Sequence, residues 1–224
     1  MKIRFEILRR RTASDKPYTQ VFMTDSEEAA TVAQALDIIN SEQSPDDPVR
    51  WECSCRQKKC GACAMRINGR PRLACDAWLS EFDSGIIKLE PLRKFPVICD
   101  LMVDRSVMFD NLKTIGAWLG GDAGSEDTGI SYEASRCLQC GCCLEVCPNF
   151  YAGGEFFGAA AMTPLSRLIS ETPEADKKRL YGSYNEHFYR GCGKSLSCRD
   201  ICPAGIDTEH LLVNSNAAAV WKRR

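Results

Sequence analysis

Residues 137 to 148 read Cys-Leu-Gln-Cys-Gly-Cys-Cys-Leu-Glu-Val-Cys-Pro, and a second set ending in Cys-Pro follows at Cys192, Cys198 and Cys202-Pro203. Cys137, Cys140, Cys143 and Cys147 have the C-x2-C-x2-C-x3-C-P spacing that wraps three thiolates around one iron–sulfur cluster and sends the fourth to a second cluster. The chain between the two segments must therefore return to bring them together. A structural zinc site is the rival reading, since four thiolates also hold one tetrahedral ion. Zinc knuckles do not call for a third spaced cysteine, a fourth followed by proline, and a near-copy later in the chain.

The rest of the composition leaves those thiols available. Nothing at Met1-Lys2-Ile3-Arg4-Phe5 reads as a leader peptide, so the 14 cysteines are not expected to form a disulfide framework. Lys+Arg 29 against Asp+Glu 30 gives a net charge of -1, which offers no general pull toward nucleic acid or acidic lipid. Arg9-Arg10-Arg11 and Lys222-Arg223-Arg224 read as solvated ends. The apolar runs Gly158 to Met162 and Ala217 to Trp221 are too short to span a bilayer, so membrane association is expected only through a partner.

The 224 residues suggest two domains. Ile3, Phe5 and Ile7 alternate with charged residues, and Tyr18 to Met23 is aromatic and β-branched, which predicts a hairpin. Val32, Leu36 and Ile39 recur at helical spacing. After the loop at 44 to 48 comes a cysteine-rich loop, then a hairpin from Ala64 to Cys75 turned by Asn68-Gly69, then a strand from Ile86 to Leu89. Beyond this the pattern is helical. Val103, Val107, Leu112, Ile115 and Leu119 predict one helix face stopped by Gly120-Gly121, with a polar loop from Gly121 to Gly129. Ser131, Thr163 before Pro164, Thr172 before Pro173, and Asp207 read as N-caps. The fold class is therefore α+β: an N-terminal β-grasp ferredoxin domain over 1–98, followed by an all-α two-cluster ferredoxin-like domain over 99–224.

In the first domain Cys55-x4-Cys60-x2-Cys63 has the plant-ferredoxin spacing, and Cys75 follows as the fourth thiolate of a [2Fe-2S] cluster. Cys53 would give the wrong interval and reads as a small buried thiol. In the second domain the exchange rule assigns Cys137, Cys140, Cys143 and Cys202 to a [4Fe-4S] cluster. Cys147, Cys192 and Cys198 remain for another, whose missing ligand falls at Ser195. Serine is a poor iron ligand beside a thiolate, so a [3Fe-4S] cluster is expected, the alternative being a serine-ligated four-iron cube. Cys53, Cys99 and Cys142 are left over, and burial is their expected role. No residue stands out as an acid, base or nucleophile. His187 and His210 lie outside the cysteine motifs and read as ordinary packed or surface residues.

Ser54-Cys55-Arg56 through Cys60-Gly61-Ala62-Cys63-Ala64-Met65, then Ile67-Asn68-Gly69, Leu73-Ala74-Cys75, Phe95-Pro96-Val97-Ile98 and Asp100-Leu101-Met102-Val103-Asp104, together with the two cysteine segments, resemble the iron–sulfur subunit of succinate dehydrogenases and quinol:fumarate reductases. The resemblance covers essentially the whole chain and implies the same three ligand sets. It also implies a flavoprotein partner that interconverts succinate and fumarate at FAD, and a membrane cytochrome b partner with heme b and quinone beside the three-iron end. The implied place is the cytoplasmic face of the inner membrane. Ubiquinone-using relatives resemble one another in a Trp shortly after the equivalent of Pro148 and a His just after that of Cys192. Here those stretches read Asn149-Phe150-Tyr151-Ala152 and Gly193-Lys194, so a menaquinone-type quinone is expected. The rival class is the iron–sulfur subunit of another flavin dehydrogenase or of a heterodisulfide-reductase-like complex, and the copurifying flavoprotein distinguishes the two.

Overall fold

Alternating burial along the first strand, β1 (Lys2–Arg9), sets the sheet. Ile3, Phe5, Ile7 and Arg9 are all 0% exposed, while their neighbours face outward or sit at the rim. Each fully buried Ile or Phe contributes about 1.5–3 kcal/mol. The computed structural model describes residues 2–25, 30–118, 128–174 and 177–221, and these fall into two compact units, Met1–Asp104 and Arg105–Arg224.

In the first unit β1 pairs antiparallel with β2 (Tyr18–Asp25), the expected hairpin, with Phe5 opposite Phe22. Helix α1 (Val32–Ile38) starts at Thr31, whose hydroxyl accepts from Gln34 N while the Gln34 side chain accepts from Thr31 N. This reciprocal cap is worth about 1 kcal/mol. A single π turn (Ile39–Gln43) extends the helix. Strands β3 (Ala64–Ile67) and β4 (Arg70–Leu73) form the second hairpin, and β5 (Ile86–Glu90) completes a mixed sheet of order β2-β1-β5-β3-β4, in which β1 and β5 are parallel. Asn68 and Gly69 take φ of 47° and 81°, the left-handed pair a two-residue hairpin turn requires. Asn68 also clamps the turn to β5, its side-chain oxygen accepting from Lys88 N at 2.7 Å and its own N–H donating to Lys88 O at 2.9 Å.

A two-stranded ribbon of β6 (Val97–Cys99) and β7 (Met102–Val103) closes this unit. The unit therefore ends after Asp104 rather than at the expected 98/99 boundary, which would cut through β6. The turn of the ribbon carries Asp100, 1% exposed, whose carboxylate accepts from Arg10 N at 2.8 Å and Arg50 N at 2.9 Å and pairs with Arg9 Nε at 3.0 Å. The Arg9 fork also donates to Gln20 Oε1 and to the carbonyls of Asp47 and Pro48. Arg9 is thus a core residue and not part of a solvated basic end, because position 9 falls on the inward face of β1. Val103, expected on a helix, lies in β7.

The second unit is helical. Helix α2 (Ser106–Thr114) buries Met108 and Asn111, and Ile115 caps its end. Helix α3 (Thr128–Ser135) contains Ser131 in its interior, where the Ser131 hydroxyl meets that of Ser170 at 3.3 Å, so Ser131 is not a cap. Short α4 (Cys142–Val146) follows Gly141, which has φ 86°. Helix α5 (Gly158–Glu171) is buried nearly all round and runs through Pro164 without stopping. Thr163 is therefore no helix start, and its hydroxyl donates back to Ala159 O. Thr172 is the C-cap of α5, and the helix start expected after it runs into residues 175–176, outside those described. Helix α6 (Lys177–Tyr184) continues into a π turn (Asn185–Tyr189). After α7 (Ser197–Asp200), the last helix α8 (Thr208–Ala219) is capped by Asp207, which accepts from His210 N at 3.0 Å, as expected. Ser166 on α5 meets Ser215 on α8 at 2.8 Å, and the Tyr184 hydroxyl donates to Asn216 Oδ1 at 2.8 Å. The expectations for Leu119, for Gly120-Gly121, for the loop through 127 and for the terminal Lys222-Arg223-Arg224 lie outside the described residues. Among those described, no helix is long and apolar enough to cross a membrane.

Candidate metal centres

The cysteine-rich loop of the first unit is built to point backbone N–H groups at sulfur. Arg56, Lys58 and Gly61 take positive φ of 55°, 57° and 73°, which folds the loop back on itself. Gln57 N and Lys59 N then donate to Cys55 Sγ at 3.4 and 3.2 Å, and Lys58 N donates to Cys75 Sγ at 3.3 Å. One short loop therefore serves sulfurs 20 positions apart in sequence, Cys75 being delivered by the short 3-10 turn (Ala74–Asp76) after β4. Cys55 is hydrogen-bonded to Cys60, and Cys63 to Cys75, so the four expected thiols form two bonded pairs, and the same loop donates to a sulfur of each pair. The Gln57 and Lys59 N–H groups pull the Cys55 thiol down to about 7, whereas burial pushes Cys63 up to about 12. Ion pairs brace the loop, Arg56 to Asp37 and Lys58 Nζ to Asp76 at 2.6 Å. Cys53 is half-buried beside Arg56 rather than fully buried.

In the second unit the expected sets line two cavities. The first is walled by Cys137, Cys140, Cys143, Cys202 and Cys198, with Gln139, Ala160 and Thr208 among its other residues. The second is walled by Cys147, Cys192, Cys198 and Ser195, with Phe156, Phe188 and Lys194. Cys198 thus stands in the wall between them, and the Thr208 hydroxyl donates to its sulfur at 3.3 Å. Burial raises the Cys137 thiol to about 11 and pushes the Cys143 thiol well above its ordinary value. A thiolate set in such surroundings needs positive metal to exist as an anion.

Cys142 lines neither cavity and is completely buried. Its thiol bonds to Cys140, pulling Cys140 down to about 7 against burial and raising Cys142 itself. Cys99 is buried in the ribbon with its sulfur 3.8 Å from that of Met102. Among the described residues no group of three or more His, Cys, Asp and Glu is arranged around a single ion; a cluster spreads its thiolates over several irons. His187 stacks on Phe157 with centroids 4.2 Å apart, its Nδ1 3.1 Å from Glu155 O, a packed residue.

Spacing did not reveal Gln139, whose side-chain N–H groups donate to Cys137 Sγ at 3.2 Å and Ala160 O at 2.8 Å, nor Thr208. Their only sequence signal is a polar residue beside a cysteine motif.

A sheet-rich unit whose loop gathers four thiols, followed by a helical unit with two cysteine-lined cavities, defines an iron–sulfur electron-transfer protein. Residues 4–110 match the model of the 2Fe-2S iron-sulfur cluster binding domain, and residues 133–206 that of the 4Fe-4S dicluster domain. The chain is 37% identical to the succinate dehydrogenase iron-sulfur subunit of Bacillus subtilis, over 91% of this chain and 87% of that one. It is 29% identical to the fumarate reductase iron-sulfur subunit of Wolinella succinogenes, over 87% of each. A structure of the Mycobacterium smegmatis Sdh1 complex in the apo form shares the fold, with a TM-score of 0.83 at 22% identity, covering 100% of this chain and 97% of that one. The chain belongs to the family of succinate dehydrogenase and fumarate reductase iron–sulfur subunits.

Proposed function

We propose that this chain carries single electrons between a flavoprotein that interconverts succinate and fumarate at FAD and a membrane quinone. Bound iron–sulfur clusters supply the one-electron chemistry that lets a two-electron flavin reaction be passed on stepwise. Cys55, Cys60, Cys63 and Cys75 would hold the [2Fe-2S] cluster of a β-grasp domain, a reading supported by the strand order and by the loop N–H groups aimed at sulfur. Cys137, Cys140, Cys143 and Cys202 would hold the [4Fe-4S] cluster. Cys147, Cys192 and Cys198 would hold a [3Fe-4S] cluster, with Ser195 at the vacant corner. The observation that carries the reading is a pair of adjoining cavities, one lined by Cys137, Cys140, Cys143 and Cys202, the other by Cys147, Cys192 and Ser195, with Cys198 in the wall of both.

The polypeptide sets the potentials through these N–H groups and through the apolar walls that keep water from sulfur. The partners are a flavoprotein and a membrane cytochrome b subunit with heme b, which holds the chain peripherally on the cytoplasmic face of the inner membrane. Around the three-iron end, Ala152 and Gly193 supply no indole or imidazole donor, which favours a menaquinone-type quinol bound mainly by the membrane partner. Turnover of the purified complex in detergent tests this. Succinate–dye and fumarate–menaquinol activity are expected, with little turnover from a ubiquinol analogue. Comparable ubiquinol turnover would overturn the quinone reading, and absence of both succinate and fumarate activity the function.

A further inference from the structure

Proline inside a helix removes the N–H that would bond the carbonyl four residues earlier. Pro164 lies inside α5, so Ala160 O has no backbone donor from that position. The Gln139 amide replaces it, Nε2 donating to Ala160 O at 2.8 Å. The same amide nitrogen donates to Cys137 Sγ at 3.2 Å. Both acceptors need N–H, which fixes the amide orientation, and the opposite side-chain atom, Gln139 Oε1, is buried without a hydrogen-bond partner. Gln139 is also held at φ 48°, a backbone cost of about 1–3 kcal/mol for a residue other than glycine. A buried, partnerless carbonyl and a left-handed backbone are unfavourable features that persist where they place a functional group.

We infer that Gln139, anchored on the carbonyl that Pro164 leaves open, is a positioning residue that raises the reduction potential of the [4Fe-4S] cluster by holding an N–H on the Cys137 sulfur. The inference rests on the assignment of Cys137 to that cluster. Reduction adds one electron and no proton, so negative charge on the cluster sulfurs grows by one unit. An N–H aimed at sulfur therefore stabilises the reduced form more than the oxidised one. Without it, the ratio of reduced to oxidised cluster at a fixed ambient potential should fall about tenfold, equivalent to about 59 mV for a one-electron couple.

The structural and electronic roles of the amide separate in a Pro164→Ala background, where a backbone N–H is restored to Ala160 O. A redox titration of the purified complex, followed by electron paramagnetic resonance, compares Pro164→Ala with Pro164→Ala/Gln139→Met. The double variant should keep its iron content and show a lower potential at the [4Fe-4S] cluster, the middle one of the three in chain order, alone. Gln139→Glu, which sets a carboxylate against the sulfur, should lower it further. An unchanged middle potential in the double variant would overturn the inference, as would loss of the cluster from both Gln139 variants, which would make the residue structural. Survival of the middle cluster in Cys137→Ala would instead overturn the ligand assignment beneath it.

Discussion

Asp100 is the residue on which the first unit closes, because one buried carboxylate serves the Arg9 guanidinium and two backbone N–H groups from separate segments. Removing one partner of a buried ion pair leaves an uncompensated charge, costing about 3–5 kcal/mol. Asp100→Ala should therefore lower the urea midpoint of the chain markedly, and a midpoint near wild type would show that Arg9 finds solvent. Composition hid this pair, since Arg9 sits in an Arg-Arg-Arg run that reads as surface while its partner is 91 positions away. A second prediction concerns the thiols of the iron-depleted chain. Cys55, lowered to about 7, is half thiolate at pH 7 and more so above it, while Cys63, raised to about 12, stays protonated and buried. Because the thiolate is the nucleophile, iodoacetamide at pH 7 should label Cys55 at least about tenfold faster than Cys63, as peptide mass spectrometry would report.

At the scale of elements, legibility followed periodicity. The alternation of Ile3, Phe5 and Ile7 and the Asn68-Gly69 turn were readable because a sheet with one buried face imposes a period of two. Helix α5 was not, since its first turn, Gly158 to Met162, is buried on every side, and Thr163-Pro164 imitates a helix start. The N-terminus of α5 is tightly packed. Gly158 has φ 68°, and an added Cβ would clash with Leu144 Cδ2, so Gly158→Ala should destabilise the helical unit by about 1–3 kcal/mol. A melting temperature equal to wild type would contradict that packing. The position of α4 yields a further test, because it carries Cys142 away from both cavities. Cys142→Ala should leave iron content unchanged, whereas Cys202→Ala should lose or rebuild the middle cluster. Equal iron loss in the two would overturn the exchange of ligands between the segments.

For the whole molecule, cysteine spacing carried the candidate sites further than it carried the fold. Spacing assigned the sets and singled out Ser195, and two cavities lined by those residues then support the assignment. What spacing left out is the donor shell, namely Gln57, Lys58, Lys59, Gln139, Cys142 and Thr208, because hydrogen bonds to sulfur depend on loop geometry and not on interval. On the proposed ligand sets one chain carries three unlike clusters, the last short of one iron because residue 195 is serine. Electron paramagnetic resonance of the gently oxidised purified complex, with iron counted per chain, tests this directly. The wild type should give a near-isotropic three-iron signal, and Ser195→Cys should convert some or all of it to a four-iron cube. A wild type without any three-iron signal would contradict the account.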